Sequence, residues 1–132
     1  MAEKKILQPA NIWNTQGLSF SQGVVVKGGS SMIFVAGQAA FDKDGHVVGK
    51  GDITQQTQVT LENVKSVLES AGASLEDVVR ITVFLTDIRN MSVMQRVRAD
   101  YFRSNYPAST GVQVSSLAHE DLLVEIDAIA VK

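Results

Sequence analysis

Leu122-Leu123-Val124-Glu125-Ile126-Asp127-Ala128-Ile129-Ala130-Val131 is the stretch on which the fold turns. A strand sends alternate side chains to opposite faces. Leu122, Val124, Ile126, Ala128 and Ala130 then share one apolar face, while Leu123, Glu125, Asp127, Ile129 and Val131 share the other. A ribbon this apolar reads as an interior strand of a sheet. Its two carboxylates need a reason to be there, because an unpaired buried charge is costly. They line a cleft, pair with cations across an interface, or are solvated.

Working outward, Val78 to Leu85 alternates and places Val79, Ile81, Val83 and Leu85 on one face, a second strand. Thr110 to Val114 is a short strand before the final one. Toward the N-terminus, Leu18 to Val26 and Met32 to Gln38 are rich in β-formers and flank Gly28-Gly29-Ser30-Ser31, which predicts a hairpin. Asp42-Lys43-Asp44-Gly45 marks a turn, with Val47-Val48 a short strand after it. Thr54 to Ala71 predicts a helix: Leu61, Val64, Leu68 and Ala71 fall at offsets 0, 3, 7 and 10. Asp52 or Thr54 caps its start and Gly72 ends it. Met91 to Ser104 predicts a second helix, with Met94, Val97, Tyr101 and Phe102 as its stripe and Pro107 closing the segment. Phe34, Phe41, Tyr101 and Phe102 read as core residues. Residues 1–16 read as an irregular lead-in to a single domain, 1–132, of order β-β-α-β-α-β-β. Two helices can cover one face of such a sheet; another subunit is the simplest cover for the other.

The chain has 132 residues, 45% apolar and 20% charged, with a net charge of −2, which disfavours a nucleic-acid surface. It has no cysteine, so disulfides, thiolate metal sites and a cysteine nucleophile are excluded. Met1-Ala2-Glu3-Lys4-Lys5 lacks the apolar core of a signal peptide, and no apolar run approaches the ~18 residues of a membrane span. A cytosolic protein is the expectation. His46 and His119 lie in loops without the spacing of a zinc pair. Gly49-Lys50-Gly51 lacks the strand and the Lys-Ser/Thr ending of a phosphate loop and reads as a turn. Glu125 is the strongest single candidate. Either it holds and polarises water in a cleft, or it pairs with an Arg or Lys from a neighbour.

Ser19-Phe20-Ser21-Gln22-Gly23-Val24, Phe34-Val35-Ala36-Gly37-Gln38, Thr82-Val83-Phe84-Leu85-Thr86-Asp87 and the final strand, in this order and spacing, resemble the Rid family of reactive-intermediate imine/enamine deaminases, also called YjgF-like. The resemblance covers residues 17 to 131. It implies an α+β, chorismate-mutase-like fold: one mixed sheet with two helices on one face, in a homotrimer whose sheets face inward and whose clefts lie at subunit boundaries. It implies hydrolysis of 2-aminoacrylate-type imino acids to keto acids and ammonia, with no cofactor and no metal.

Carried over by position, Glu125 matches the family's water-orienting glutamate, and Gly37 and Gln38 match its second-strand motif. The chain departs elsewhere. Ala36 stands for a serine, Phe20 for a tyrosine, Gly111 for a frequent cysteine, and Ser109 for the arginine that clamps the substrate carboxylate. A serine hydroxyl cannot replace a planar cation with a fork of donors. Arg89 is the candidate to supply the cation from elsewhere, and Ser109→Arg is expected to raise activity on 2-aminoacrylate. The alternative is a trimer whose altered cleft binds another small metabolite. An RNA-directed activity, described for some relatives, is the reading least favoured by the charge. The expected partners are a small molecule and two further copies of the chain, with no membrane.

Overall fold

The structure, a computed structural model, describes residues 2–11 and 13–132. Met1 and Ile12 of the predicted lead-in lie outside the described residues. The order is β1 (Ala2–Leu7), β2 (Gly23–Gly28), β3 (Met32–Ala39), α1 (Ile53–Ser70), β4 (Val78–Leu85), α2 (Met91–Phe102), β5 (Ala108–Gln113) and β6 (Val124–Val131). β3, β6, β4 and β5 form one sheet in that order. β6 runs antiparallel to both neighbours, and β4 and β5 are parallel. A parallel pair needs a crossover, and α2 is that crossover.

The final strand is interior, as its pattern predicts. Val124, Ile126, Ala128 and Ala130 are buried and pack, with Ile81, Val83 and Leu85 of β4, against Leu61, Val64 and Leu68 of α1 and Met94, Val97 and Phe102 of α2. Both helices therefore lie on one face. Glu125, Asp127 and Ile129 belong to the opposite face, which no element of the described chain covers as the helices cover the first.

The N-terminal expectations need correction. Residues 2–7 are strand, paired in register from Ala2 opposite Gly28 to Leu7 opposite Gly23. Charged residues mask the alternation there: Lys4 is on the half-buried side, its stem inward and its Nζ donating to the carbonyls of Val78 (2.7 Å) and Glu76 (3.3 Å). Burial lowers the Lys4 pKa, and Asp77 and Glu76 oppose that shift. The hairpin expected between β2 and β3 does not form. Gly28 and Gly29, at φ 72° and 89°, swing the chain aside, and Ser30 and Ser31 donate to the Lys132 carbonyl, so β3 takes β6 as partner. The single mixed sheet is thus a four-stranded mixed sheet plus a two-stranded one. Phe34 is not core. It shares the uncovered face with Ile129 and is 69% exposed. Val47 makes only an isolated bridge to Phe41.

α1 begins as predicted, Asp52 Oδ1 accepting from the Gln55 N–H at 3.0 Å, and ends before Gly72 at φ 73°. Its first turns also bury polar residues. Gln56 Nε2 donates to the Asp121 carbonyl and Oε1 accepts from the Leu123 N–H, both at 2.8 Å. One side chain therefore satisfies two backbone groups in the loop that launches β6. Gln56→Ala should lower the unfolding free energy by about 2 kcal/mol or more, because both groups lose their partner in a buried site. Urea denaturation of the variant against the parent measures it.

Candidate functional site

Apart from Arg89, the residues singled out from sequence fall into two groups on opposite sides of the sheet. The first is built around Glu125, which stands opposite Ala39 of β3 and Phe84 of β4 on the uncovered face. The ladder to β6 skips Ala36 and Gly37, which sit in an irregularity between Val35 and Gln38. The Glu125 side chain lies across this gap. A Cβ at Gly37 would come 2.5 Å from its Oε2 and 2.8 Å from its Cδ, so only glycine leaves room for the carboxylate there. Among the described residues no Lys or Arg nitrogen lies within 4.0 Å of Glu125. Asp127, its companion in the sequence pattern, is committed to the sheet: its Oδ1 accepts from the Thr82 N–H at 3.1 Å.

The second group lies at the β5 edge, on the helix side. Ser109 stands opposite Ile81 and Gly111 opposite Val83, so both face α2, whereas Thr110 faces away and accepts from Arg80 Nη2 at 2.6 Å. The segment before β2 is fastened alongside: the Ser21 N–H donates to the Pro107 carbonyl at 3.0 Å and its hydroxyl donates to the Tyr106 carbonyl. That brings Phe20 to the same place, its ring edge-on to Trp13 with centroids 5.9 Å apart. Phe20, Ser109 and Gly111, with Trp13, Met91 and Gln95, wall a cavity of about 180 Å³. Gly111 leaves a gap that the Met91 side chain fills, its Cε 2.5 Å from where a Cβ would stand.

Arg89 joins neither group. Its side chain is 88% exposed, and its Nε and Nη2 donate to Asp87 at 3.0 and 2.7 Å. That pairing raises the Arg89 pKa and lowers that of Asp87. The cation at the cavity is one the sequence reading missed, Arg98 of α2. It is 2% exposed; its Nε and Nη2 donate to Ser19 Oγ at 3.2 and 3.1 Å and its Nη1 to Ser109 Oγ at 3.0 Å. The signal was present, since Arg98 stands four residues from both Met94 and Phe102, on the apolar stripe itself. Burial pulls its pKa down to about 10, so the guanidinium still carries its charge at neutral pH.

The two histidines stay apart. His46 lies 3.8 Å from Asp42 in an exposed turn whose Asp42 Oδ1 accepts from the Asp44 and His46 N–H groups, and His119 lies 3.9 Å from Asp121. Among the described residues no helix is long and apolar enough to cross a membrane.

The family model described as endoribonuclease L-PSP matches residues 15–132. A RutC family protein of Pyrococcus abyssi is 44% identical over 113 residues, 86% of each chain, and one of Pyrococcus horikoshii is 47% identical over 108 residues, covering 81% of this chain and 83% of that one. Among solved structures, the Rid-family protein YyfB of Yersinia pestis superposes with a TM-score of 0.89 at 30% identity over 98% of both chains. Yeast Mmf1 superposes at 0.73 with 31% identity, covering 86% of this chain and 87% of that one. The chain therefore belongs to the YjgF/Rid family, whose model carries the description endoribonuclease L-PSP.

Proposed function

We propose that this chain is a cytosolic hydrolase of small imines and enamines, converting 2-aminoacrylate-type imino acids to keto acids and ammonia in clefts between copies of itself. The observation that carries the reading is Glu125. It is a carboxylate with no Lys or Arg nitrogen within 4.0 Å among the described residues, set against Gly37 on a sheet face that the described chain leaves uncovered. Such a group can orient a water and accept its proton as the oxygen attacks the C=N carbon. The tetrahedral adduct then expels ammonia, leaving the keto acid. The reaction moves only protons and water and needs no cofactor.

The split of the site supports an assembly. Glu125 faces away from the helices, whereas Phe20, Ser109 and Gly111 border the cavity on the α2 side. One small molecule cannot touch both groups of a single chain across the intervening sheet. It can touch Glu125 of one copy and the cavity of the next. The uncovered face also presents two neighbouring apolar side chains of β3, Phe34 at 69% and Met32 at 61% exposure, and Val112 on the opposite edge strand β5, apolar surface of the kind a second copy covers. A homotrimer with inward-facing sheets satisfies both observations. An RNA-directed reading finds less support, given the net charge of −2.

Glu125→Ala should reduce ammonia release from imines generated in situ by an amino-acid oxidase by about a hundredfold or more, with the assembly unchanged in light scattering. Collapse to monomers would instead assign Glu125 to an intersubunit ion pair. Phe34→Glu should yield a folded particle near 14.2 kDa with no hydrolysis. An active monomer would refute the shared cleft. Gly37→Ala should keep the assembly but lose about tenfold or more in rate, because the new methyl displaces the glutamate by an ångström-scale step; a parental rate would show that the position of the carboxylate is not critical.

A further inference from the structure

The hydrolysis proposed above makes no use of Arg98. This guanidinium has five N–H groups, of which three are taken by Ser19 and Ser109, leaving two without a protein acceptor among the described residues. Among those residues no carboxylate lies within 4.0 Å of it. A charge in so dry a site, partnered only by neutral hydroxyls, is unfavourable until an anion completes it.

The two serines are not equivalent. The Ser19 hydroxyl gives its own proton to the Gln95 carbonyl at 3.1 Å and so serves Arg98 purely as an acceptor, fixing the guanidinium's direction. The Ser109 oxygen accepts from Nη1, and its proton has no acceptor among the described residues. A hydroxyl that accepts from a cation becomes a stronger donor. Ser109 therefore offers the cavity an O–H backed by a positive charge.

We propose that Arg98, acting with the Ser109 hydroxyl, is the anion-recognising pair of this cleft and selects small 2-oxo and 2-imino carboxylates over their neutral analogues. One cation matches one negative charge. The cavity, about 180 Å³ and walled by Phe20, Met91 and Trp13, admits a short apolar tail beside the carboxylate. The ligand class rests on the hydrolase reading; the anion preference rests on the buried guanidinium. Seen this way, Ser109 is a working part of the clamp, whose cation arrives from the helix and not from the strand. The expectation that Ser109→Arg raises activity is accordingly reversed, because it would press a second guanidinium against Arg98. Only the paired exchange, Arg98→Met with Ser109→Arg, keeps a single cation.

The sole tryptophan, Trp13, lines the cavity and reports binding by its emission. Pyruvate and its neutral amide, pyruvamide, are titrated into the full-length protein and its variants. Pyruvate should bind more tightly than pyruvamide. Arg98→Met should weaken pyruvate by about tenfold or more, as expected for a lost charge-assisted contact, and leave pyruvamide unchanged. The paired exchange should recover part of the loss. Should Arg98→Met not fold, Arg98→Lys and Ser109→Ala replace it, each expected to reduce the preference for pyruvate over the amide. A purely structural role would alter melting temperature without touching that preference. The proposal is overturned by pyruvate binding no tighter than pyruvamide in the parent, or by folded variants that keep the parental preference. Selective carboxylate binding by a protein that hydrolyses no imine would defeat the proposed reaction and support this pair. Hydrolysis without carboxylate selectivity would defeat the pair alone.

Discussion

The alternation along β6 is the constraint on which the rest depends. Val124, Ile126 and Ala130 are fully excluded from solvent, and β6 is the only strand of the four with β3 on one side and β4 on the other. Full burial of side chains such as Val124 and Ile126 stabilises by about 1.5–3 kcal/mol each, and a slip of one residue would exchange that face for the one carrying Glu125 and Asp127. The register is therefore fixed by what cannot be exposed. Glu125 owes its position opposite Phe84 and Ala39 to the valine and isoleucine beside it.

Fixing the register also separates the chemistry. The same alternation that sends Val124 toward the helices sends Glu125 away from them, while in β5 it turns Ser109 toward α2 and Thr110 outward. The described chain therefore divides an anionic group and a cationic one between two faces. In the proposed assembly this division becomes useful, since a cleft between copies can take one face from each. An isolated chain keeps the carboxylate and the guanidinium out of each other's reach and so avoids an internal ion pair that would neutralise both.

In the proposed clamp, Arg98 is a cation that has changed its origin without leaving its site. A guanidinium projecting from the position of Ser109 and one projecting from α2 approach the same cavity from different elements. The hydroxyl at Ser109 accepts from the helix residue at the place where a longer side chain would otherwise pass. Gly111 and Met91 show the same economy of space, the thioether occupying the volume that a side chain on the strand would take. The wall is contributed by α2 in both cases.

The sequence by itself determined the helices, the interior strand, the faces of β6 and those of β4 from Ile81 onward, because each depends on a local period of 3.6 or 2 that the chain carries in consecutive residues; at the start of β4 an irregularity in the ladder buries Val78 in place of the expected Val79. Through resemblance it also singled out Glu125 and Gly37, which the structure sets against each other. It did not reveal β1, whose alternation is hidden by charged side chains that snorkel, nor the partner of β3, which is chosen by the glycine turn and by the distant C-terminal strand. Phe34 read as core because an aromatic residue in a strand usually is; its exposure follows from which face the helices cover. Arg98 drew no reading from the sequence, although it stands on the apolar stripe of its helix. Only the tertiary structure joined it to Ser19, 79 residues away, and to Ser109 across the crossover. A side chain's partner is decided by where separate elements meet, and that meeting has no period for a sequence to display.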